Sequence, residues 1–378
     1  LGEVTESFDG KRIPIDSGLR VLGEYPYYGA TGIIDYVDNY IFDGEYVLLA
    51  EDGANIIMRN YPVAYLTRGK FWLNNHAHIM RMIDGNNYFL VQVLEKIDYM
   101  KYNTGTAQPK LNSKIIKNIE FKLPNIGEQQ KIGTFFKQLD DTIALHQRKL
   151  EQIKLLKQAF LQKMFVNQGN VPELRFADFS EKWEQRKFFD NIKKTIDFRG
   201  RTPKKMGMDW SVSGYLALSA LNVKNGYIDP SADAHYGDQK LYNKWMTGKE
   251  LYEGQVLFTT EAPMGNVAQV PDSNKYILSQ RTIAFDVYSD KITNDFLAVL
   301  LCSPKSFNEL SSLASGGTAK GVSQKSLSQF KVTMPTDLNE QNKIGAFFKQ
   351  LDATITLHQK KLTNLKELKK AFLQFMFI

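Results

Sequence analysis

The chain has 378 residues, too many for one hydrophobic core, so two or three domains are expected. Its 43% hydrophobic and 24% charged residues match an ordinary globular protein and exclude a disordered chain. Lysine and arginine outnumber aspartate and glutamate by 48 to 41, and the resulting +7 charge with a pI near 9.0 points toward a polyanionic partner.

The single cysteine, Cys302, ends the apolar run "FLAVLLC", where a buried inert thiol is expected in place of a nucleophile. One cysteine allows no disulfide within the chain, which fits a reducing cytoplasm. No apolar stretch of about 18 residues and no basic-then-apolar leader occurs, so no membrane association is expected. The sequence begins at Leu1 without methionine, and its true start is expected to lie upstream.

Residues 1–123 read as a first α+β domain. "EYVLLAED", "PVAYLTRGKFWL" and "HAHIMRMID" are short strands, rich in β-branched and aromatic residues and bounded by glycine or Asn-Gly. "YPYYGATG" (Tyr25 to Gly32) carries Tyr27, Tyr28 and Thr31 and suits a contact loop or a plain turn. In "NNHAH", a strand would place His76 and His78 on one face, but a metal site needs a third ligand, and none is identifiable. Asn74 and Asn75 are of the type that hydrogen-bonds adenine edges.

Residues 124–168 are expected to hold a long central helix that the chain repeats. "GEQQKIGTFFKQLDDTIALHQRKL" (Gly127 to Leu150) returns as "NEQNKIGAFFKQLDATITLHQKKL" (Asn339 to Leu362) at an offset of 212, and 27 of the 38 positions from Glu128 to Phe165 are identical to their counterparts. Apolar positions at Ile132, Phe136, Leu139 and Ile143, then His146 and Leu150, alternate by four and three as in a coiled-coil seam. His146 and His358 are expected to fix its register. Asn125-x-x-Glu128 and Asp337-x-x-Glu340, each following a proline, predict capping boxes. A helix of ~34 residues is ~51 Å long and too apolar along its seam to stand alone. Antiparallel pairing with its own copy places the domains at opposite ends about a pseudo-twofold axis.

Residues 169–334 read as a second α+β domain, and 335–378 as the distal helix. Strands are expected in "GYLALSALNV", "QVLFTTEAP", "NVAQVP" and "RTIAFDV". The closing parts of the two domains correspond: an apolar helix, a Gly-Thr-Ala loop (105–107 and 317–319), a short helix, then an edge strand ended by Pro124 or Pro335. Their front parts barely resemble each other. In "KKTIDFRGRTPKK" six cations fall within 13 residues, which suits phosphate contacts, with arginine able to read guanine, or a solvated charged loop. No phosphate-binding GxxxxGK[ST] loop, dinucleotide fingerprint or amino-methyltransferase Pro-Pro-aromatic stretch is present; "TGKE" and "PDSNK" are incomplete matches to nucleotide and nuclease motifs. No catalytic residue, metal site or cofactor is expected on this chain.

Two unlike domains, each followed by a near-identical helix opening with "EQQKI" or "EQNKI", resemble the specificity subunit of type I restriction-modification enzymes over essentially the whole chain. "VPELRFADFSEKW", "RGRTPKK", "LALSALNVKNGYID", "QVLFTTEAPMGNVA", "LSQRTIAF", "YPYYGATGIIDYV" and "WLNNHAHIM" carry the rest of the likeness. The resemblance implies an α+β fold with two target-recognition domains joined by two long helices in an antiparallel coiled coil. It implies a non-catalytic reader of double-stranded DNA, one domain per half of a bipartite asymmetric site, docking two methyltransferase subunits and, through them, restriction subunits. S-adenosylmethionine, ATP and magnesium would belong to those partners. By position in the matching motifs, the implied DNA contacts are Arg199, Arg201, Thr202, Lys204, Lys205, Asn222, Lys224, Thr260, Glu261, Met264 and Arg281. In the first domain they are Tyr27, Tyr28, Thr31, Asn74, Asn75 and His76. The first unit begins near the counterpart of Phe188, so its opening segment is expected to be missing. A coiled-coil scaffold for two modules that bind no nucleic acid is the competing reading, and a self-sufficient nuclease would need a carboxylate cluster not found here.

Overall fold

The computed structural model describes residues 1–316 and 320–377; the second Gly-Thr-Ala loop lies outside them. The chain divides into two compact units, residues 1–148 with 359–378, and residues 149–358, so each unit takes part of both long helices.

Those helices span Ile126–Lys163 and Leu338–Met376, 38 and 39 residues, longer than the expected ~34. In the first unit Phe135 meets Phe372 edge-on at 4.9 Å between ring centres, and Lys369 pairs with Asp140 at 2.7 Å. In the second unit the equivalent residues repeat both contacts: Phe160 on Phe347 at 4.9 Å, and Lys157 with Asp352 at 2.5 Å. In both units the start of one helix therefore lies against the end of the other, which makes the pairing antiparallel.

The helix starts differ from expectation. Asn125 Oδ1 accepts the Glu128 amide at 3.0 Å, as a cap should. Asp337 instead accepts the Asn339 amide at 2.7 Å, and Glu340 does not complete a box. The Glu340 carboxylate is buried, accepts Arg175 Nε and Nη2 at 2.7 Å each, and accepts Trp183 Nε1 at 3.2 Å. A guanidinium fork outcompetes one backbone amide for a buried carboxylate. Just beyond each start a buried glutamine fastens helix to domain through backbone groups. Gln129 donates to the Pro124 carbonyl at 2.8 Å and accepts the Asn86 amide at 3.3 Å. Gln341 donates to the carbonyls of Pro335 (2.9 Å) and Lys291 (3.0 Å) and accepts the Thr293 amide at 3.0 Å.

The sheet of the first unit has strand order Thr5–Ser7, Ala77–Met82, Phe42–Ala50, Ala64–Leu73, Leu22–Gly29, Gly32–Val37. Asn87–Lys96, capped by Asn86 on the Phe89 amide, buries Leu90 and Leu94 against Val47, Leu49 and Met80. In the second unit the order is Ile192–Asp197, Thr282–Val287, Val256–Thr259, Val267–Gln269, the first four strands again in the same succession. Tyr27–Tyr28 run parallel to Trp72–Leu73, and Ala217–Leu218 run parallel to Ile277–Leu278. The front parts, which looked unrelated, thus share one frame. A strand's register depends on which positions are apolar, not on which apolar residue fills them, so the frame outlasts the sequence.

One expected repeat is missing. Lys331–Met334 is an edge strand paired with Glu184–Lys187, but Glu120–Leu123 join no ladder, because the described residues of the first unit hold no counterpart of Glu184–Lys187. A lone strand has nothing to satisfy its backbone groups. Among the described residues no helix is long and apolar enough to cross a membrane.

Candidate nucleic-acid interface

In the second unit the sheet strand Ile192–Asp197 runs out into the basic loop. Asp197 organises that loop: its carboxylate accepts the Arg199 amide (2.9 Å), Arg199 Nε (2.8 Å) and Gln324 Nε2 (3.0 Å). Burial would raise its pKa, but these partners together hold the carboxyl below its ordinary range. Arg199 also reaches the Val322 carbonyl at 3.2 Å, so it braces the loop. Arg201 lies 4.8 Å over the Phe198 ring and donates to the Trp245 carbonyl at 3.2 Å. Lys204 and Lys205 are exposed on the short turn Lys204–Met206; the Lys205 amide donates to Thr202 Oγ1 at 3.2 Å and its ammonium to the Gly200 carbonyl at 2.7 Å.

Three other expected contacts are occupied elsewhere. Asn222 is fully buried, donating to the Ala217 carbonyl at 2.7 Å and accepting the Ser219 amide at 2.8 Å, which leaves it nothing to offer a base edge. Thr260 is buried with its hydroxyl on the Arg281 carbonyl at 3.2 Å, and Met264 packs on the core. Lys224 sits in the two-residue pair Val223–Lys224/Tyr227–Ile228, fixed beside the Glu261 loop by Asn266 Nδ2 on the Val223 carbonyl at 2.9 Å. Arg281, at φ +64°, points its Nε to Glu261 Oε1 at 2.9 Å; their side chains are 54% and 41% exposed.

In the first unit Tyr27 is fully buried, its hydroxyl accepting the Ile15 amide at 2.9 Å and its ring covered by Arg20 at 4.5 Å. It is a core residue, not a contact. Tyr28 is half-buried against Tyr65 and Phe71, while Thr31 is exposed at the turn between Leu22–Gly29 and Gly32–Val37. Asn74 is buried and accepts the His76 amide at 2.8 Å; Asn75 and His76 are exposed in the turn. His76 and His78 do not share a strand face. His78 is buried between Asp9 (2.7 Å) and the Leu111 carbonyl (2.8 Å), whereas His76 Nδ1 meets Asp52 at 2.9 Å. No group of three metal-ligating side chains converges among the described residues. Burial would raise the pKa of Asp9, but His78, the Ile79 amide and Arg12 hold it below the carboxylate range.

The shared frame puts His76 and Arg281 at one position. The Glu51 amide donates to the His76 carbonyl at 2.9 Å, as the Thr260 amide does to that of Arg281 at 2.7 Å. The Leu111 amide donates to the Glu51 carbonyl at 2.7 Å, as the Val322 amide does to that of Thr260 at 2.9 Å. Asp52 bridges Lys110 as Glu261 bridges Gly321. Asp52 went unnoticed in the sequence. The signal was present as an acid directly after a strand, "LLAED" beside "FTTE", but carried no spacing that singled it out.

A family model described as "Type I restriction modification DNA specificity domain" matches residues 1–155 and 180–367. A relative from Haemophilus influenzae named for a type I restriction enzyme specificity subunit is 26% identical over 369 residues, covering 94% of this chain and 88% of the relative. The MjaVIII specificity subunit of Methanocaldococcus jannaschii is 23% identical over 400 residues, 100% of this chain and 90% of the relative. Among solved structures, the type I restriction-modification S subunit from M. genitalium has a TM-score of 0.69 at 12% identity, covering 99% of this chain and 96% of that one. A chain from a structure on complex assembly and conformational transition of the type I restriction-modification system reaches 0.50 at 15% identity, with 99% and 95% covered.

Proposed function

Because the chain belongs to the type I restriction-modification DNA specificity family, we propose that it is the non-catalytic DNA reader of such an enzyme, with one domain for each half of a bipartite, asymmetric site. The observation that carries this reading is one domain frame built twice, each copy attached to a copy of the same long helix and each bearing different loops at the same sheet end. A duplicated scaffold with unlike loops suits two readers of unlike half-sites.

In this reading the first domain reads through the exposed turns at Thr31 and Asn75, and the second through the basic loop of Arg201, Thr202, Lys204 and Lys205. The two helices set the spacer between half-sites and dock two methyltransferase subunits, with restriction subunits joining through them. S-adenosylmethionine would be held by the methyltransferase partners, and ATP and magnesium by the restriction partners. The domain boundaries at 123/124, 168/169 and 334/335, and a cytoplasmic setting, belong to the same reading.

Methylome sequencing of cells carrying this gene and its methyltransferase partner tests it. A two-part methylation motif is expected, and exchanging residues 169–334 for another such domain should change one half only. Methylation without a bipartite motif would refute the reading. DNA affinity of the purified complex that did not fall with salt would favour a scaffold for modules that bind no nucleic acid.

A further inference from the structure

Two domains that read different sequences should differ wherever they read and agree wherever they do the same thing. His76 and Arg281 stand at one position of the shared frame, each exposed, each facing a carboxylate from the loop after the neighbouring strand. The turn does not need them: the backbone bonds between Glu51 and His76, and between Thr260 and Arg281, already hold it. An exposed ion pair such as Arg281–Glu261 adds little to stability, and the His76 side chain that meets Asp52 is 52% exposed, so holding the fold is a poor account of either contact.

Resting on the reading proposed above, we infer that Arg281 and His76 form the phosphate-backbone contact common to both domains, and that Glu261 and Asp52 hold them in place until a phosphate displaces the carboxylate. Phosphate contacts set register on the duplex and carry no sequence information, which is what two unlike readers can share. The planar guanidinium that takes a carboxylate oxygen takes a phosphate oxygen in the same geometry. Glu261 and Asp52 are repelled by the approaching polyanion, so each pair opens toward DNA.

The two partners of a pair therefore have opposite effects. In the complex with the methyltransferase subunits, Arg281→Ala should lower the slope of log affinity against log salt by about 0.9, so that about threefold less affinity is lost between 50 and 200 mM salt. The loss should be equal on a duplex carrying the methylated motif and on a scrambled duplex of the same length, with the motif unchanged. Arg281→Lys should keep the slope. Glu261→Gln should tighten binding to both duplexes, and His76→Arg should raise the slope by about the same amount.

Equal losses in Arg281→Ala and Glu261→Gln would make the pair structural and overturn the inference. So would Arg281→Ala relaxing one base of the motif, which would make Arg281 a base reader. A wild-type complex with no salt-steep affinity for either duplex would remove the DNA-reading function itself, whereas a salt-steep wild type with an unchanged Arg281→Ala slope would remove only the shared contact.

Discussion

Arg175→Ala should destabilise the second unit more than any surface change. Glu340 is 1% exposed and its two oxygens are matched by the guanidinium of Arg175, with Trp183 Nε1 as a third donor. The pair raises the pKa of Arg175, chiefly through its hydrogen bonds to Glu340 and against the cost of burial. Removing the arginine leaves a carboxylate in the core with one indole N–H at 3.2 Å. Breaking such a pair from one side costs about 3–5 kcal/mol. At about 2–4 °C per kcal/mol for a unit of this size, the unfolding midpoint should fall by about 6–20 °C. Glu128 is the internal control, since it holds the equivalent position in the first helix but is exposed, and Glu128→Gln should stay within about 0.5 kcal/mol. The double variant Arg175→Met/Glu340→Met removes the orphaned charge and should recover most of the loss. Scanning calorimetry, with hydrogen exchange at the start of the second helix, measures all three. If Arg175→Ala cost under about 1 kcal/mol, or if the double variant were no better than the single, the buried carboxylate would not be the quantity that matters.

Acid stability should depend on Asp9 and Asp197, whose carboxyls are both depressed in the folded chain. A depressed carboxyl binds its proton more readily when unfolded, so its contribution is complete above the unfolded value near pH 4 and is lost as pH falls through the folded value. Asp197→Asn should therefore flatten stability against pH between about pH 5 and 3, read from urea midpoints; an unchanged slope would count against the network around Asp197. Gly345→Ala should reverse the usual helix rule, by which alanine stabilises by about 1 kcal/mol. Its Cβ would stand 2.7 Å from Asp295 Cβ and 3.0 Å from backbone atoms that cannot yield, for a cost of about 1–3 kcal/mol. At the equivalent Gly133 the nearest atom is the Asn86 oxygen at 2.3 Å, the one that caps the Phe89 amide, so Gly133→Ala should cost that cap, about 1 kcal/mol, and thermal midpoints of the two variants check both losses.

The long helices were legible because their signal is local and repeated: a four-three apolar seam, two prolines and 27 identities in 38 positions. Their antiparallel pairing followed from where the domains attach, and the matched Phe135–Phe372 and Phe160–Phe347 contacts bear it out within each unit. Glu340 was misread because its partner Arg175 lies 165 residues earlier, beyond any spacing rule. Polar residue type also says little about reach. Asn222 and Asn74 turn their amides onto nearby backbone, and Tyr27 spends its hydroxyl on Ile15, so residues suited to reading bases are consumed by turns and core. The equivalence of His76 with Arg281 has no sequence trace, since it rests on strand order and backbone bonds that many side chains satisfy equally.

Gln129 and Gln341 grip their domains by carbonyls and amides alone, and every polypeptide offers those at a helix start and a strand end. That part of the joint is blind to what is mounted on it, whereas the Glu340 cluster asks for an arginine and a tryptophan from the mounted domain. Genetic exchange of one mounting for a foreign one that brings its own counterparts of Arg175 and Trp183 would find its anchorage ready without compensating change in the rod, so new combinations can arise in a single recombination event.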